Sequence, residues 1–405
     1  MSDFDYGIIG GGPAGFTAGM LLAKQGKKVV LFEKDKLGGT CLNRGCIPTK
    51  ALLHSSEIFH QMISKDNYGL KVDASGFDFA SVAQRKNSIV EKIRKGLELA
   101  VKNSGVEVVY AEAEIKDEHT IFANEITYSV EKIVLATGSK PREIKGLEFD
   151  HEFILSSDDI LKLDKLPNSV LIIGSGAIGL EWARIFSNFG VEVNIVELGE
   201  HLCPIADIEV SKRIERIFKQ KKIKFYLNDC VSNINNKLVT LKSGLTIEPD
   251  IILSAVGRIP TETDFEGTKL GDISGGILLA HYAISEAKEF AEGIKFDRIL
   301  VPSVIYGEPE IAWIGVREQD CDDSYEKRSL PITALGKSWC DDATDGFIKL
   351  ILKDGFIVGG HIVSKEASAM IQQIVIAIQN KIPVDKLKEI CVAHPTYSEG
   401  IFDIL

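Results

Sequence analysis

Apolar residues occur along the chain in short runs, and stretches with the spacing of amphipathic helices follow them. Such runs lie at residues 6–9 and 29–32, and again at 170–173 and 193–196. A short continuous apolar run indicates a strand that is covered on both faces, and alternation of such strands with helices indicates a parallel sheet. The pattern therefore predicts an α/β class for most of the chain.

The carboxyl-terminal region, residues 298–405, has a different pattern. Two apolar runs at 347–352 and 356–363 flank a Lys-Asp-Gly turn at 353–355, which predicts a β-hairpin. Residues 370–382 have apolar side chains at helical spacing, which predicts a helix with one buried face. We therefore expect an α+β unit at this end of the chain.

Two glycine-rich turns follow the first strand of each apolar pair in the same register. Each has the form G-x-G-x-x-G and opens a predicted helix, and an acidic residue ends the second strand 18 residues after the last glycine. The first motif contains Gly10, Gly12, Gly15 and Glu33, and the second contains Gly174, Gly176, Gly179 and Glu197. An isolated motif of this kind is weak, but the acidic residue and the duplication argue against a chance match.

This arrangement is suited to binding dinucleotides. The first glycine permits a tight turn, the second lets the backbone approach a pyrophosphate, and the third lets the helix pack closely on the strand. The phosphates then lie at a helix amino terminus, and the carboxylate accepts a hydrogen bond from a ribose hydroxyl. We predict two dinucleotide sites. At the second, Glu197 is followed by Glu200 with no arginine between them to receive a 2′-phosphate, which favours NAD over NADP.

Cys41 and Cys46 are the only cysteines that are close in sequence among the seven. In a regular helix five residues rise roughly 7.5 Å, more than the Cα separation of about 4.4 to 6.8 Å that a disulfide spans. A bond between them therefore needs an irregular backbone, which three nearby glycines (38, 39 and 45) and Pro48 permit. A strained, accessible disulfide is redox-active. Two unpaired thiols and a metal site are the alternatives, but the spacing differs from that of zinc sites, and we predict no metal.

Length and charge narrow the classes of function. With 405 residues the chain is long enough for two or three domains. Its net charge of -11 repels nucleic acid and anionic lipid surfaces. No apolar run approaches 18 residues, and residues 1–5 have no features of a signal or transit peptide. We expect a cytoplasmic protein with no nucleic-acid partner and no membrane partner.

The segment around the two cysteines resembles a known family. Residues 38–50 read GGTCLNRGCIPTK, which resembles the flavoprotein disulfide reductases, or class I pyridine nucleotide-disulfide oxidoreductases, and most closely their dihydrolipoyl dehydrogenase branch. Further matches extend through most of the chain, at ATGSKP (136–141), VGRIP (256–260), GD (271–272) and AHPTYSE (393–399). These motifs together are highly specific.

The resemblance implies a role for each residue of the redox centre. Cys41 would exchange with the dithiol substrate, and Cys46 would lie as a thiolate against FAD. Lys50 would lie near the reactive nitrogen of the flavin and pair with Glu181, which keeps a buried cation neutralised.

The resemblance also implies an acid–base pair and further cofactor contacts. His394 would accept and return thiol protons, because its ordinary pKa lies near working pH, and Glu399 would orient its imidazole. Outside the glycine motifs, the residues expected to contact the cofactors are Lys50, Thr137, Gly138, Ser139, Gly257 and Asp272.

The implied architecture has two Rossmann-like dinucleotide-binding domains, for FAD and NAD, and a carboxyl-terminal α+β dimerisation domain. We expect the FAD domain at 1–145 and 261–297, the NAD domain at 146–260 and the dimer-interface domain at 298–405. The enzyme would be a homodimer in which the His394 and Glu399 pair completes the partner's active site. It would oxidise dihydrolipoamide on a lipoyl-bearing protein of a 2-oxo acid dehydrogenase or glycine-cleavage system and reduce NAD+ through FAD.

One segment departs from the family pattern. Only 12 residues separate Arg258 from Gly271, where the family has a longer segment that contains a strand. We expect either that the chain is a shortened form of a longer protein, which the small number of residues favours, or that residues 265–270 re-form part of the strand and still bring Asp272 to the flavin. Two alternative functions remain open: another FAD-dependent disulfide reductase acting on a small disulfide, and a catalytically silent FAD-binding protein.

Overall fold

The computed structural model describes residues 2–63, 68–71 and 76–405. Its first part contains β1 (Phe4–Ile9), α1 (Pro13–Lys24), β2 (Val29–Glu33), α2 (Gly39–Arg44), α3 (Cys46–Ile63), α4 (Phe79–Asn103), β3 (Glu107–Tyr110), β4 (Glu114–Asp117), β5 (Thr120–Ala123), β6 (Ile126–Leu135) and β7 (Ser139–Pro141). The order of the strands in the main sheet is β3-β2-β1-β6-β5-β4. Because β1 is parallel to both β2 and β6, its carboxyl end lies in the middle of the sheet, where the first glycine turn follows it.

A second parallel sheet repeats this design. Its part of the chain contains β8 (Ile154–Leu155), β9 (Ser169–Ile173), α5 (Ala177–Asn188), β10 (Glu192–Val196), α6 (Ile208–Gln220), β11 (Lys224–Tyr226), β12 (Val231–Asn235), β13 (Leu238–Leu241), β14 (Thr246–Ile247), β15 (Ile251–Ser254) and β16 (Arg258–Pro260). The sheet has the order β11-β10-β9-β15-β8, and β12, β13 and β14 form a small antiparallel sheet. The four apolar runs predicted as strands are therefore β1, β2, β9 and β10.

The short segment after Arg258 returns the chain to the first sheet. β16 pairs antiparallel with β7, and β17 (Thr268–Lys269) pairs in parallel with the last residues of β6. Two paired residues therefore re-form part of the strand, as the second alternative predicts. Twelve residues suffice because β16 already lies against β7, just beyond the end of β6, so that the chain has little distance to cross. Helix α7 (Ala280–Glu292) then packs on α1.

The carboxyl-terminal unit is an antiparallel sheet with helices. It contains β18 (Ser303–Ile305), β19 (Glu310–Gly315), β20 (Glu326–Pro331), α8 (Gly336–Cys340), β21 (Phe347–Lys353), β22 (Phe356–Ser364), α9 (Ala367–Gln379), α10 (Val384–Leu387) and α11 (Glu399–Asp403). The order is β18-β19-β22-β21-β20, with the predicted hairpin as β21 and β22. Helix α9 buries Met370, Ile371 and Ile374 in the core of this unit. The predicted hairpin and helix are both confirmed.

These elements confirm the predicted fold class of two Rossmann-like units and an α+β unit. None of the helices in the described ranges has the length and apolar character to cross a membrane.

Candidate active site

A cleft of about 1710 Å³ joins the two parallel sheets, and both glycine loops line it. Cys41, Cys46, Lys50 and Glu181 line the same cleft. A typical pocket for one small molecule has about 300 to 1,000 Å³. The cleft therefore has room for more than one ligand, with the cysteine pair beside them.

The first glycine loop has the backbone that the motif predicts. Gly10 has a φ of +106°, and a side chain at Gly15 would place Cβ 1.8 Å from the carbonyl oxygen of Gly10. The N–H of Gly11 donates to Glu33 Oε2 at 2.8 Å, which fixes the carboxylate at the mouth of the loop. Gly12 precedes α1, and a Cβ there would meet nothing closer than 3.8 Å. The loop therefore leaves open space at a helix amino terminus for a phosphate group.

The second glycine loop is held in the same way. A Cβ at Gly179 would lie 2.1 Å from the carbonyl oxygen of Gly174, and one at Gly176 would meet no atom within 4 Å. Ser175 donates to Glu197 Oε2 from its N–H at 2.8 Å and from its hydroxyl at 2.6 Å. The N–H of Gly199 donates to the other oxygen at 2.8 Å. These bonds keep the Glu197 carboxylate in one orientation beside the loop.

The short return segment still delivers Asp272 to the cleft. The Ser139 hydroxyl donates to Asp272 Oδ2 at 2.5 Å and accepts from Arg258 Nε at 2.9 Å. Thr137, Gly138, Gly257 and Asp272 all line the cleft. Re-formation of the strand by β17 is what brings Asp272 to this position, so the second of the two alternatives for this segment describes the fold.

The backbone around the two cysteines is irregular, as the glycines predict. Gly38 and Gly39 have φ values of +99° and +57°, and α2 ends before Gly45 so that a separate helix begins at Cys46. Both side chains are half-buried. The pKa of Cys46 is lowered to about 7, chiefly by a hydrogen bond from Cys41; the charge of Lys50 acts in the same direction, and burial opposes both. The same bond raises the pKa of Cys41.

Lys50 is held by Glu181 and by a residue that the sequence did not reveal. Its ammonium lies 2.8 Å from both carboxylate oxygens of Glu181, as predicted, and 4.6 Å from the centre of the Tyr306 ring. The backbone N–H of Tyr306 donates to Glu181 Oε1 at 3.1 Å. Tyr306 follows β18 and has no recognisable motif around it, so only the folded chain shows that it belongs to the site.

The His394 and Glu399 pair lies elsewhere on the same chain. His394 Nδ1 is 2.6 Å from Glu399 Oε1, and the Thr396 N–H donates to Glu399 Oε2 at 2.6 Å. This backbone bond and the bond to His394 lower the pKa of Glu399. The His394 side chain is 76% exposed and does not line the cleft. One chain therefore does not bring this pair to its own cysteines.

One acidic cluster has the geometry of a cation site. Asp207, Glu209 and Glu318 have oxygens that lie close together. The ammonium of Lys349 already lies 2.6, 3.3 and 2.6 Å from them, respectively, and is almost fully buried. Within the described ranges this cluster is therefore an ion-pair network that joins α6 to β21.

Comparison with known families and proteins accords with this geometry. The model of the pyridine nucleotide-disulphide oxidoreductase family matches residues 4–286, and that of its dimerisation domain matches residues 301–403. The chain is 31% identical to a dihydrolipoyl dehydrogenase of Bacillus subtilis over 99% of this chain and 97% of that protein. It is 33% identical to a dihydrolipoamide dehydrogenase of Chaetomium thermophilum over 98% of this chain and 90% of that protein.

Solved structures have the same fold. LpdA from Mycobacterium tuberculosis superposes with a TM-score of 0.91 at 23% identity, over 98% of both chains. RclA from Escherichia coli, an HOCl-induced flavoprotein disulfide reductase, superposes with a TM-score of 0.87 at 24% identity, over 99% of both chains. The predicted cofactors, FAD and NAD, are those of the family, and the two open glycine loops fit them. The chain belongs to the pyridine nucleotide-disulphide oxidoreductase family.

Proposed function

We propose that this enzyme is a dihydrolipoyl dehydrogenase, which oxidises dihydrolipoamide and reduces NAD+. The observation that carries the proposal is the Cys41 and Cys46 pair, which lies beside Lys50 in a cleft lined by two dinucleotide-type glycine loops. The relatives named above, at 31% and 33% identity over nearly the whole chain, support the choice of substrate.

The cysteine pair would act by thiol–disulfide exchange. A substrate thiolate attacks Cys41 Sγ of the oxidised pair, and Cys46 leaves as a thiolate. The second substrate thiol then attacks the mixed disulfide, so that Cys41 leaves, oxidised lipoamide is released and both cysteines are reduced. The low pKa of Cys46 makes it the better leaving group of the two. When bound, FAD would supply the two-electron redox chemistry that links the dithiol to NAD+.

The chain's own charged groups would position these steps. Lys50 would hold a positive charge beside the Cys46 thiolate and near the flavin, while Glu181 keeps that ammonium neutralised and in place. Glu33 and Glu197, held by the backbone of their loops, would accept hydrogen bonds from the ribose hydroxyls of FAD and NAD. Asp272, which lines the cleft beside Ser139, would contact FAD.

Proton transfer would use the His394 and Glu399 pair of a second subunit. In one chain this pair is exposed and apart from the cleft, and the chain carries a dimerisation domain. In a homodimer the exposed imidazole would face the partner's Cys41, accept the thiol protons and release them to solvent. Glu399 would keep the imidazole oriented and stabilise its charged form.

The substrate would arrive on another protein. We propose a lipoyl-bearing subunit of a 2-oxo acid dehydrogenase or glycine-cleavage system as the partner, and a cytoplasmic location.

Parallel assays with three substrates test the function. The purified protein, with its FAD content measured, is assayed for NADH-dependent reduction of lipoamide, glutathione disulfide and ferricyanide. We expect rapid turnover of lipoamide and little of glutathione disulfide, and Cys41→Ser should abolish lipoamide turnover while ferricyanide reduction continues. Turnover of glutathione disulfide above that of lipoamide would identify the enzyme as another disulfide reductase, and no turnover of either disulfide by FAD-loaded protein would identify a silent flavoprotein.

A further inference from the structure

A fully buried arginine lies on the helix that carries Glu181. Arg184 is 1% exposed and follows Glu181 by three residues on α5, so that both side chains project from neighbouring positions on one side of the helix. An unpaired buried charge is costly, and a fully buried arginine therefore needs a structural reason. The sequence motifs give Arg184 no role.

The guanidinium binds the turn that follows β18. Its Nη1 donates to the carbonyl oxygen of Tyr306 at 3.0 Å and to that of Pro309 at 2.8 Å. The turn is shaped to receive it, because a Cβ at Gly307 would lie 2.2 Å from Arg184 Nη1. Gly307 also has a φ of +138°, which disfavours any other residue there. Arg184 and Gly307 thus form a fitted contact between α5 and the dimerisation domain.

This turn also holds the ion pair of the redox centre. The N–H of Tyr306 donates to Glu181 Oε1, and the ring of Tyr306 lies under the ammonium of Lys50. The peptide groups on both sides of Tyr306 are therefore fixed, one by Arg184 and the other by Glu181. Displacing the turn would move both a hydrogen bond of Glu181 and the aromatic face that contacts Lys50.

We infer that Arg184 is a positioning residue for the Lys50 and Glu181 pair, acting through the Tyr306–Pro309 turn. It does not line the cleft that contains Cys41 and Cys46. Its effect is to keep the Lys50 ammonium at one place beside Cys46, so that the positive charge is available to the thiolate whenever the pair is reduced. The inference rests on the proposed function, in which that thiolate is a working group.

The charges around Arg184 supply a matched control. The carboxylates whose charges act on Arg184 are Glu57, Glu181 and Glu310. Its neighbour Glu57 is in turn influenced by Glu308, Glu310 and Lys221. Lys221 is the second cation of this cluster, and in the described part of the chain its ammonium donates to Asn188 Oδ1 at 3.2 Å and not to the turn. Replacing Lys221 removes one positive charge from the cluster but leaves the turn in place.

The experiment measures the titration of Cys46 without any substrate. In the FAD-loaded Cys41→Ser protein, the rate of alkylation of Cys46 by iodoacetamide is followed by mass spectrometry across pH. We expect Arg184→Met to raise the midpoint of this pH dependence by about half a pH unit to one pH unit, because Lys50 is held less firmly. Lys221→Met should leave the midpoint unchanged. Arg184→Lys should fail to restore it fully, because both bonds to the turn come from Nη1 at the far end of the guanidinium, and the shorter lysine side chain does not reach that position.

A second variant keeps the charge of Arg184 and disturbs only its contact with Gly307. Gly307→Ala displaces the guanidinium from the turn and should raise the midpoint of the Cys46 titration as Arg184→Met does. This variant tests the inference even if Arg184→Met does not fold. An unchanged midpoint in Gly307→Ala, or an equal rise in Lys221→Met, would overturn the inference. Because the readout is a thiol titration, these results are independent of whether lipoamide is the substrate.

Discussion

We expect Glu286 to hold in place the segment after Arg258 that brings Asp272 to the cleft. It lies on α7, is 5% exposed, and accepts from the N–H of Gly271 at 2.7 Å. It also accepts from the Ser274 hydroxyl at 3.2 Å and from Arg298 Nη1 at 2.7 Å. Gly271 immediately precedes Asp272, so this carboxylate fixes the backbone that brings Asp272 to the cleft.

The expected cost of Glu286→Ala follows from these contacts. A hydrogen bond to a charged group contributes about 1.5 to 3 kcal/mol, and leaving the buried Gly271 N–H without an acceptor costs about 1 to 3 kcal/mol. Arg298 is half exposed, so its ion pair adds little. Because these contributions overlap, we expect a loss of about 2 to 4 kcal/mol, measured as the free energy of unfolding in urea, together with weaker retention of FAD on dialysis.

Glu289 provides the matched control. It lies three residues further along α7 and pairs with the same Arg298, at 2.5 Å, but it does not contact the return segment. We expect Glu289→Ala to cost less than about 0.5 kcal/mol and to leave FAD binding unchanged. Equal losses in the two variants would mean that Glu286 contributes only as part of a surface ion pair, and would refute the reasoning.

Three further predictions concern the redox centre. The reactivity of Cys46 toward iodoacetamide should have a midpoint near pH 7 and fall below that pH, because the thiolate is the reactive form. Lys50→Met should raise this midpoint by about one pH unit. On two-electron reduction, Cys46→Ser should lose the long-wavelength absorption of a thiolate against flavin, whereas Cys41→Ser should keep it; an unchanged band in Cys46→Ser would reverse the two roles. His394→Ala should lower lipoamide turnover on the order of 10²-fold and spare ferricyanide reduction. Mixed dimers of one His394→Ala subunit and one Cys41→Ser subunit should recover some lipoamide turnover. Equal losses in the lipoamide and ferricyanide assays would mean that His394 has a structural role.

The glycine motifs could be interpreted from the sequence because each of their properties is local. The tight turn, the close approach of Gly15 to Gly10 and the acidic residue at the end of the second strand all follow from spacing within about 25 residues. The irregular backbone between Cys41 and Cys46 followed from its glycines in the same way.

What the sequence did not show depends on contacts between distant segments. Residue counting favoured a shortened chain over a re-formed strand, because nothing local indicates that β16 lies against β7 and shortens the crossing. Arg184 and Tyr306 are separated by 122 positions and meet only when the dimerisation domain packs on α5. A second charged residue after Glu181 in the mostly apolar α5 was the one signal that could have drawn attention to Arg184.

The central claim is that Cys41 and Cys46 transmit electrons between lipoamide and the nicotinamide cofactor. The most direct measurement traps the pair with an alkylating reagent under denaturing conditions and counts the labelled thiols of residues 41 and 46 by mass spectrometry. We predict no labelled thiol of this pair in the oxidised enzyme, two after addition of NADH, and none again after excess oxidised lipoamide. A pair that stays fully labelled or fully unlabelled through all three states, while NADH still reduces lipoamide, would contradict the account.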